Sequence, residues 1–367
     1  MKIAVVGGGV VGLSVAWAAA EAGHQVQLID AAPGSGASWV AGGMLAPVTE
    51  AWPGEEHGLA LGSASLDRWP KFAARLEKDG GLRQEGTLVV AVDAADREEL
   101  DGVADFLARL GRTVEKVTAR QARGLEPALG TSVRSGLLVP GDLAVDNRVL
   151  LSSLRKAALD AGMQPIAVAA TKVSAGEVLL ANGSTVECDA VVLAAGAWSG
   201  GLHEGLAKVI RPVKGEVLRL KARAGALDPP SRTVRALVEG RQVYLVPRDG
   251  RGLVLGATQY EAGFDTEVTV GGVRDLLRDA ERVLPGIGEY AVLECAAGLR
   301  PGSPDNLPLL GWLEPGVLAA TGHHRNGILL APITAEAVVD LLAGREPPEP
   351  ARAADPGRLL AVTNGGG

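Results

Sequence analysis

The most informative residues of this chain are three glycines near the amino terminus, Gly7, Gly9 and Gly12, because their spacing is typical of a ligand-binding turn. They follow a short apolar run, residues 3–6, and open an alanine-rich stretch that stops at Gly23. A strand, a glycine-rich turn and a helix in this order are typical of a dinucleotide-binding unit. The first glycine permits the tight turn, the second lets the backbone approach a pyrophosphate, and the third lets helix and strand pack closely. We therefore predict a dinucleotide site at this turn.

An acidic residue completes the pattern. A second apolar run, residues 26–29, ends at Asp30, whose carboxylate is predicted to accept hydrogen bonds from the adenosine ribose. The pyrophosphate is predicted to lie at the helix amino terminus, where free N–H groups and the helix dipole favour anions. The other interpretation of this segment is a secretory signal peptide. It is disfavoured because glycines interrupt the apolar stretch and Glu21, His24 and Asp30 follow it.

A third apolar run, residues 190–195, ends at Gly196 and predicts a second buried parallel strand beside the first. Because residues 31–189 separate this run from the first unit, the nucleotide-binding domain must be discontinuous, with another domain inserted. Residues 213–220, 242–247 and 252–258 have strand character, which gives the insert its β content. Asn182-Gly183 predicts a hairpin. Helices are predicted from the apolar spacing over residues 59–78, 94–110, 149–162, 276–284 and 328–342. The last of these has Pro332 in its first turn. Residues 34–44 are rich in small residues and are predicted to form a loop.

Length and composition exclude several classes of protein. The 367 residues suffice for two domains, and no apolar segment is long enough to cross a membrane. The net charge of −7 and the lack of a basic cluster argue against a nucleic-acid partner. Two cysteines, Cys188 and Cys295, and five histidines without ligand spacing indicate no disulfide framework and no metal site. The predicted compartment is the cytoplasm.

Taken together, several short motifs resemble the FAD-dependent amine oxidases related to D-amino acid oxidase, and most closely the glycine oxidase branch associated with thiamine biosynthesis. The resemblance covers nearly the whole chain, and no single motif carries it. Besides the opening glycines and Asp30, the motifs lie at residues 41–47, 194–199, 212–216, 244–248, 297–302 and 322–332.

The resemblance implies an α/β protein with a Rossmann-like FAD-binding domain, discontinuous in sequence, and an inserted β-rich (α+β) substrate domain. The FAD-binding domain is assigned to residues 1–85, 145–205 and 300–345, the substrate-binding domain to 86–144 and 206–299, and a C-terminal tail to 346–367. FAD is expected to be non-covalent, because no cysteine follows Arg300, where the sarcosine oxidase branch attaches its flavin.

The resemblance also implies which residues contact FAD. The adenosine side is assigned to the glycine turn, Asp30 and its neighbour, and a residue near Ala170. The flavin is assigned to the loop after the second strand and to the segment from His323 to Leu329. The full set is Gly7, Gly9, Val10, Val11, Gly12, Asp30, Ala31, Ala37, Ser38, Gly42, Gly43, Met44, Ala170, Gly196, His323, His324, Arg325, Asn326, Gly327, Ile328 and Leu329.

Arg300 is implied to be the bidentate anchor of the substrate carboxylate, and Tyr244 to donate its hydroxyl to the same group. An interdomain salt bridge for Arg300 and a core aromatic role for Tyr244 are the alternatives. Arg325 is also assigned to substrate binding, although its backbone is expected to matter more. The chain departs from similar sequences at Gln242 and Gln259, where His and Met are usual, and at Trp39, which is a pocket wall or mere packing.

The implied reaction is oxidative deamination of glycine, sarcosine or small D-amino acids by hydride transfer from the α-carbon to flavin N5. The neutral amine drives this transfer, so no protein base is expected, which agrees with the lack of an obvious catalytic histidine or carboxylate pair. The products are glyoxylate or the imine, ammonia and, with dioxygen, hydrogen peroxide. Further expectations are a homo-oligomer and hand-off of the imine to thiazole synthase.

Three other functions remain open. A D-amino acid dehydrogenase would keep the fold and pass electrons to a quinone or carrier. An FAD-binding domain acting on modified tRNA is disfavoured by the acidic charge balance. A flavin-bound structural module without activity is the last alternative.

Overall fold

The protein is described by a computed structural model over residues 1–51 and 54–359. The helices in this part of the chain are α1 (Val10–Glu21), α2 (Ala37–Val40), α3 (Glu56–Leu66), α4 (Trp69–Ala73), α5 (Ala94–Arg109), α6 (Ala119–Leu125), α7 (Asn147–Asp160), α8 (Ser199–Leu202), α9 (Val270–Val283) and α10 (Ala331–Leu342). The strands are β1 (Lys2–Val6), β2 (Gln25–Ile29), β3 (Met44–Leu45), β4 (Leu82–Arg83), β5 (Thr87–Ala91), β6 (Glu115–Thr118), β7 (Ser135–Val139), β8 (Leu143–Val145), β9 (Gln164–Ile166), β10 (Ala170–Ser174), β11 (Glu177–Leu180), β12 (Thr185–Glu187), β13 (Ala190–Leu193), β14 (Arg211–Ala222), β15 (Thr233–Val238), β16 (Arg241–Arg248), β17 (Gly252–Gly256), β18 (Tyr290–Gly302), β19 (Leu309–Glu314) and β20 (Val317–Thr321).

The first layer is a six-stranded sheet in the order β19-β20-β13-β1-β2-β9, parallel except for β19. Val6 at the end of β1 lies level with Ile29 in β2 and with Leu193 in β13. The predicted pairing of β13 with β1 is therefore confirmed. Because the parallel strands end together, the segments that follow them meet at one edge, which is where open α/β sheets bind ligands.

Three helices cover this sheet because each has an apolar face that needs burial. α1, α7 and α10 pack on it around a core that includes Leu13, Leu154 and Ile333. Pro332 is the second residue of α10, so its lack of an N–H costs no intrahelical hydrogen bond, as predicted. Residues 328–330 precede this helix, which begins three residues later than the periodicity predicted.

The single helix predicted over residues 59–78 is wrong. α3 ends at Leu66, and the shorter α4 begins at Trp69 with Pro70 as its second residue. A proline in a helix interior removes a hydrogen bond and clashes with the preceding turn, whereas the first turn tolerates it. The chain therefore ends one helix and starts another, although the apolar spacing continues. The predicted loop 34–44 similarly contains the one-turn helix α2.

The second layer is an eight-stranded sheet in the order β18-β14-β17-β16-β15-β5-β7-β6. Its strands are antiparallel to their neighbours except for β15 and β5. α9 packs on one face over a core that includes Leu245, Leu255 and Leu276. Val217, Val246 and Val254 lie on the other face and pack against α2. A face of this sheet thereby meets the loop that follows β2.

The strands of the two large sheets alternate along the chain, and two three-stranded sheets, β10-β11-β12 and β3-β8-β4, accompany them. The division into two domains stays a prediction. Residues 349–354, at the start of the predicted tail, form a 3-10 helix whose Ala351 and Ala354 are buried. Residues 360–367, the end of that tail, lie outside the described residues. In the part of the chain that the structure describes, no helix is both long and apolar enough to span a bilayer.

Candidate active site

A cavity of about 1370 Å³ extends from the carboxyl ends of the parallel strands to one face of the eight-stranded sheet. Gly7, Gly9 and Asp30 line it at the first sheet, and Tyr244 and Arg300 line it at the second. The segment between β20 and α10 and the loop around α2 contribute further walls. Cavities that hold drug-sized ligands commonly have volumes of about 300–1,000 Å³, so this space suits a ligand of dinucleotide size together with a small molecule.

The glycine turn has the geometry that its spacing predicts. Gly7 has a φ of 108°, and a Cβ there would lie 2.4 Å from the carbonyl oxygen of Ala194. At Gly12 a Cβ would lie 1.8 Å from the carbonyl oxygen of Gly7, so only glycine lets α1 approach the strand this closely. Gly9 borders the cavity at the amino terminus of α1. The turn therefore leaves room for a pyrophosphate against the helix end.

Asp30 holds the turn in place. Its carboxylate accepts hydrogen bonds from the backbone N–H of Gly8 at 2.6 Å and of Ala32 at 2.8 Å. Each carboxylate oxygen has a second lone pair, so Asp30 can also accept from a ribose hydroxyl at the cavity edge. The N–H of Val10, at the helix amino terminus, donates to the Ser38 hydroxyl at 3.0 Å. Ser38 thus occupies one of the donors that a bound pyrophosphate was expected to use.

Most of the predicted cofactor residues come together around the cavity. Those that line it are Gly7, Gly9, Val10, Val11, Asp30, Ala31, Ala37, Ser38, Gly42, Gly43, Met44, Ala170, Gly196, His323, His324, Arg325, Gly327 and Ile328. Asn326 and Leu329 do not line it, although both were predicted to contact FAD. Leu329 is buried, and its carbonyl oxygen accepts from the Trp69 indole at 2.9 Å. Gly12 lies behind the turn, and neither cysteine is among the described lining residues.

The two histidines after β20 are neutral. His323 is buried, its Nε2 lies 3.0 Å from the Thr334 hydroxyl, and burial lowers the pKa of its ring to about 3. His324 has a φ of 47°, and burial, reinforced by nearby arginines, lowers the pKa of its ring to about 3 as well. This segment therefore offers the cavity backbone groups and neutral rings.

Arg300 reaches the cavity across a neighbouring strand. It lies on β18 level with Val213 in β14, and a Cβ at Gly215 would lie 2.3 Å from its Nη1. Nη1 donates to the carbonyl oxygens of Thr258 at 3.3 Å and Lys214 at 3.5 Å, both long hydrogen bonds. Burial lowers the pKa of the guanidinium, which still stays charged at neutral pH. Among the described residues it makes no ion pair, so its charge is open to a ligand.

Tyr244 lies on the same face of this sheet as Arg300 and approaches it from β16, across β17 and β14. Its ring lies between two glycines: a Cβ at Gly256 would lie 2.3 Å from its hydroxyl, and a Cβ at Gly42 would lie 2.7 Å from the ring. Gly256 in β17 pairs with both Tyr244 in β16 and Val217 in β14. Arg300 and Tyr244 therefore extend over two adjacent strands at the positions where glycines leave space. Burial raises the pKa of the Tyr244 phenol, so it remains a hydrogen-bond donor.

Arg325, which the resemblance assigns to substrate binding, lines the cavity, but its guanidinium already has protein partners. Its Nη2 lies 2.8 Å from the Glu55 carboxylate and 3.0 Å from the carbonyl oxygen of Glu50. Its Nε lies 3.8 Å from the Glu50 carboxylate. The guanidinium is therefore occupied by protein groups that the sequence analysis did not assign to the site.

Glu50 and Arg235 are among the charged lining residues that the sequence analysis missed. Arg235 Nη1 and Glu50 Oε1 form an ion pair at 3.1 Å, and both side chains are largely buried. A sequence signal existed for Arg235, because it interrupts the apolar strand Thr233–Val238, and a charge in a buried strand needs a partner. Glu50 follows a short loop and has no comparable signal.

The three departures from similar sequences have different positions. Gln242 and Gln259 both line the cavity, and Gln242 accepts a hydrogen bond from Arg235 Nη2 at 3.0 Å. Trp39 lies outside the lining, and the guanidinium of Arg148 stacks over its ring at 4.0 Å. Trp39 is therefore packing and not a pocket wall.

Comparison with known proteins agrees with this geometry. Residues 2–341 match the family described as DAO, FAD dependent oxidoreductase. A glycine oxidase of Geobacillus kaustophilus (strain HTA426) is 34% identical over 362 residues, which cover 94% of this chain and 93% of that protein. A crystal structure of glycine oxidase from Geobacillus kaustophilus superposes with a TM-score of 0.88 at 30% identity and covers 96% of this chain and 98% of that one. The bifunctional protein ThiO/ThiG of Synechocystis sp. (strain ATCC 27184 / PCC 6803 / Kazusa) is 34% identical over 99% of this chain, which spans about half (54%) of that longer protein.

Proposed function

The chain belongs to the DAO family of FAD-dependent oxidoreductases, and on this basis we propose that it oxidises glycine or another small amino acid, such as sarcosine or a small D-amino acid. The products are the imine or glyoxylate, ammonia and, with dioxygen as acceptor, hydrogen peroxide. The observation that carries the proposal is Arg300, a guanidinium at the cavity wall that has no ion-pair partner among the described residues. The glycine oxidase of Geobacillus kaustophilus, similar over nearly the whole chain, supports the same substrate class.

The cofactor is held by the turn and loop that border the first sheet. The amino terminus of α1 would face the pyrophosphate, Asp30 would receive the ribose, and Ala170 would lie beside the adenine, since all three line the cavity. The loop around α2 and the segment after β20, which also line the cavity, would enclose the flavin. FAD, when bound, supplies the acceptor for the hydride equivalent that leaves the substrate α-carbon and returns the electrons to dioxygen.

Arg300 and Tyr244 bind and orient the substrate. The planar guanidinium binds a carboxylate through two parallel hydrogen bonds, which fixes both position and direction. Tyr244, whose pKa is raised by burial, donates its phenolic proton to the same carboxylate. No protein base is required in this proposal, because the deprotonated amine supplies the electron pair. The residues act by orientation, for which about 1 Å of displacement can cost about 100-fold in rate.

Substrate identity and electron acceptor are tested in one experiment. The purified flavin-containing protein is mixed with glycine, sarcosine and D-alanine, while flavin absorbance and hydrogen peroxide are followed in parallel. We expect bleaching of the flavin and release of peroxide with glycine or sarcosine. Bleaching without peroxide would instead identify a dehydrogenase that uses a quinone or carrier. No bleaching with any of the three amines would refute the proposal.

The role of Arg300 is tested by Arg300→Met, with Arg300→Lys as the matched control that keeps the charge and loses the planar fork. Each charge-assisted hydrogen bond contributes about 1.5–3 kcal/mol, so losing two predicts a fall in kcat/KM of about 100-fold or more for the Met variant. The Lys variant should lose less. Equal activity of the wild type and both variants would show that Arg300 does not bind the substrate.

Hand-off of the imine to a thiazole synthase is part of the proposal. The Synechocystis protein named ThiO/ThiG supports it, because this chain is similar to about half of that longer polypeptide. Assembly into a homo-oligomer and the two-domain division stay predictions, to be checked by light scattering and by limited proteolysis.

A further inference from the structure

Four charged side chains form a chain of ion pairs along one wall of the cavity, which we call the Glu50 network: Glu50, Glu55, Arg235 and Arg325. Arg235 Nη1 lies 3.1 Å from Glu50 Oε1, and Arg325 Nε lies 3.8 Å from Glu50 Oε2. Arg325 Nη2 lies 2.8 Å from Glu55 Oε2. Glu50 is thus shared between two arginines and is itself largely buried.

The charges of this network cancel, since it holds two carboxylates and two guanidinium groups. Asp142, which is linked to Arg235 through the Thr49 hydroxyl, adds no charge below about pH 7, because burial raises its pKa to about 7. Arg300 lines the same cavity and adds one positive charge without a carboxylate partner among the described residues. The neighbouring His324 adds none, because the pKa of its ring is lowered to about 3. At this end of the cavity the protein therefore presents one uncompensated positive charge and, beside it, the buried carboxylate of Glu50.

That balance suits a ligand with one carboxylate. The first carboxylate neutralises Arg300. A second carboxylate would have no free guanidinium to bind, because Arg235 and Arg325 are already paired. It would also lie near the negative charge of Glu50, and like charges with little water between them repel strongly. The negative charge of Glu50 acts to raise the pKa of both Arg300, against the larger lowering by burial, and Tyr244, in addition to burial, which agrees with its place beside the substrate.

We infer that Glu50 determines substrate charge class: it admits small amino acids with a single carboxylate, whose amino group faces it, and rejects those with a second carboxylate. This inference rests on the proposed function. Glu50 acts as a specificity determinant here and takes no proton in the reaction.

The test compares two substrates of nearly equal shape that differ in one charge. They are iminodiacetate and its monoamide, N-(carbamoylmethyl)glycine, both secondary amines with one carboxylate for Arg300. For the wild-type holoenzyme we expect kcat/KM for the monoamide to exceed that for iminodiacetate by about tenfold or more. Glycine is assayed alongside.

Two variants move the ratio in opposite directions. Glu50→Gln keeps the side-chain shape and leaves Arg235 without its carboxylate, so iminodiacetate should gain relative to the monoamide by about tenfold. Gln242 already accepts a hydrogen bond from Arg235 at 3.0 Å, so Gln242→Glu should increase the discrimination against iminodiacetate. The double variant should restore the wild-type ratio, which a purely structural effect of either change would not do. Glu56→Gln, an exposed carboxylate on α3 outside the cavity lining, is the control and should leave the ratio unchanged.

A binding measurement accompanies the kinetics. Methoxyacetate and diglycolate are non-reactive counterparts with one and two carboxylates, and isothermal titration calorimetry gives their Kd values for each holoenzyme. Parallel shifts in the ratio of Kd values support the inference. It is overturned if the wild type does not distinguish the members of either pair, or if Glu50→Gln and Gln242→Glu leave both ratios unchanged. If glycine and the other amines fail to reduce the flavin at all, the proposed function fails instead.

Discussion

Asp142 is expected to make the stability of this protein fall as the pH rises. Its side chain is fully buried, and its Oδ2 accepts a hydrogen bond from the Thr49 hydroxyl at 2.9 Å. Its Oδ1 is buried without a hydrogen-bond partner. Burial raises the pKa of this carboxyl to about 7, although the hydrogen bond from Thr49 and the charge of Arg235 partly oppose the shift.

The magnitude follows from the two pKa values. In the unfolded chain Asp142 releases its proton near pH 3.8, whereas in the folded protein it keeps the proton until about pH 7. The folded state therefore binds more protons between these values, so the free energy of unfolding falls as the pH rises. The stabilisation is fully present below pH 3.8 and is lost as the pH approaches 7. A difference of about three pH units at 1.36 kcal/mol each corresponds to about 4 kcal/mol.

Asp142→Asn removes this ionisation and keeps an oxygen for the Thr49 hydrogen bond. The assay is urea unfolding of the holoprotein between pH 4 and 8, at one FAD concentration, followed by circular dichroism. The free energy of unfolding of the variant minus that of the wild type should rise by about 4 kcal/mol across this range and level off above pH 7. Glu98→Gln, an exposed carboxylate on α5, is the control and should give a nearly constant difference. A constant difference for Asp142→Asn as well would refute the reasoning, because it would mean that Asp142 ionises alike in both states.

Two further predictions concern glycines whose missing Cβ defines the site. Gly12→Ala places a Cβ 1.8 Å from the carbonyl oxygen of Gly7, so α1 must move away from the turn. The Kd for FAD, measured by fluorescence titration of the apoprotein, should therefore rise about tenfold or more. An unchanged Kd would contradict the close packing of α1 against the turn. Gly256→Ala places a Cβ 2.3 Å from the Tyr244 hydroxyl, so the ring must shift. We expect kcat/KM for glycine to fall about 100-fold, while the purified variant still binds one FAD per chain. Gly271→Ala, where no atom lies within 4 Å of the added Cβ, is the control for both.

Two features of the structure were not anticipated from the sequence, for different reasons. The break between α3 and α4 was missed because apolar spacing continued through it, although Pro70 was a visible signal. Arg325 was assigned to the substrate, but two glutamates occupy its guanidinium. Such pairings depend on which loops meet in space, and the local pattern around Arg325 contains no information about Glu50 or Glu55.

Residues that lie close together in the chain were enough to predict the dinucleotide turn. The turn is defined by Gly7, Gly9, Gly12 and Asp30, which all belong to one strand–helix–strand unit. The backbone angles of the turn, the close packing of α1 against it and the carboxylate at the end of β2 therefore depend only on nearby residues. Resemblance across the other motifs then extended this local result to FAD and to an amine substrate.

The substrate end of the cavity depends on contacts between distant parts of the chain. Arg300 and Tyr244 come from distant parts of the chain, and they converge because Gly215 and Gly256 leave space on the two strands between them. The charge balance around them depends equally on the fold, since Glu50 meets Arg235 only where the loop after β3 lies against β15. Charges act through space, so the partner of a buried ionised side chain is fixed by packing and not by its position along the chain.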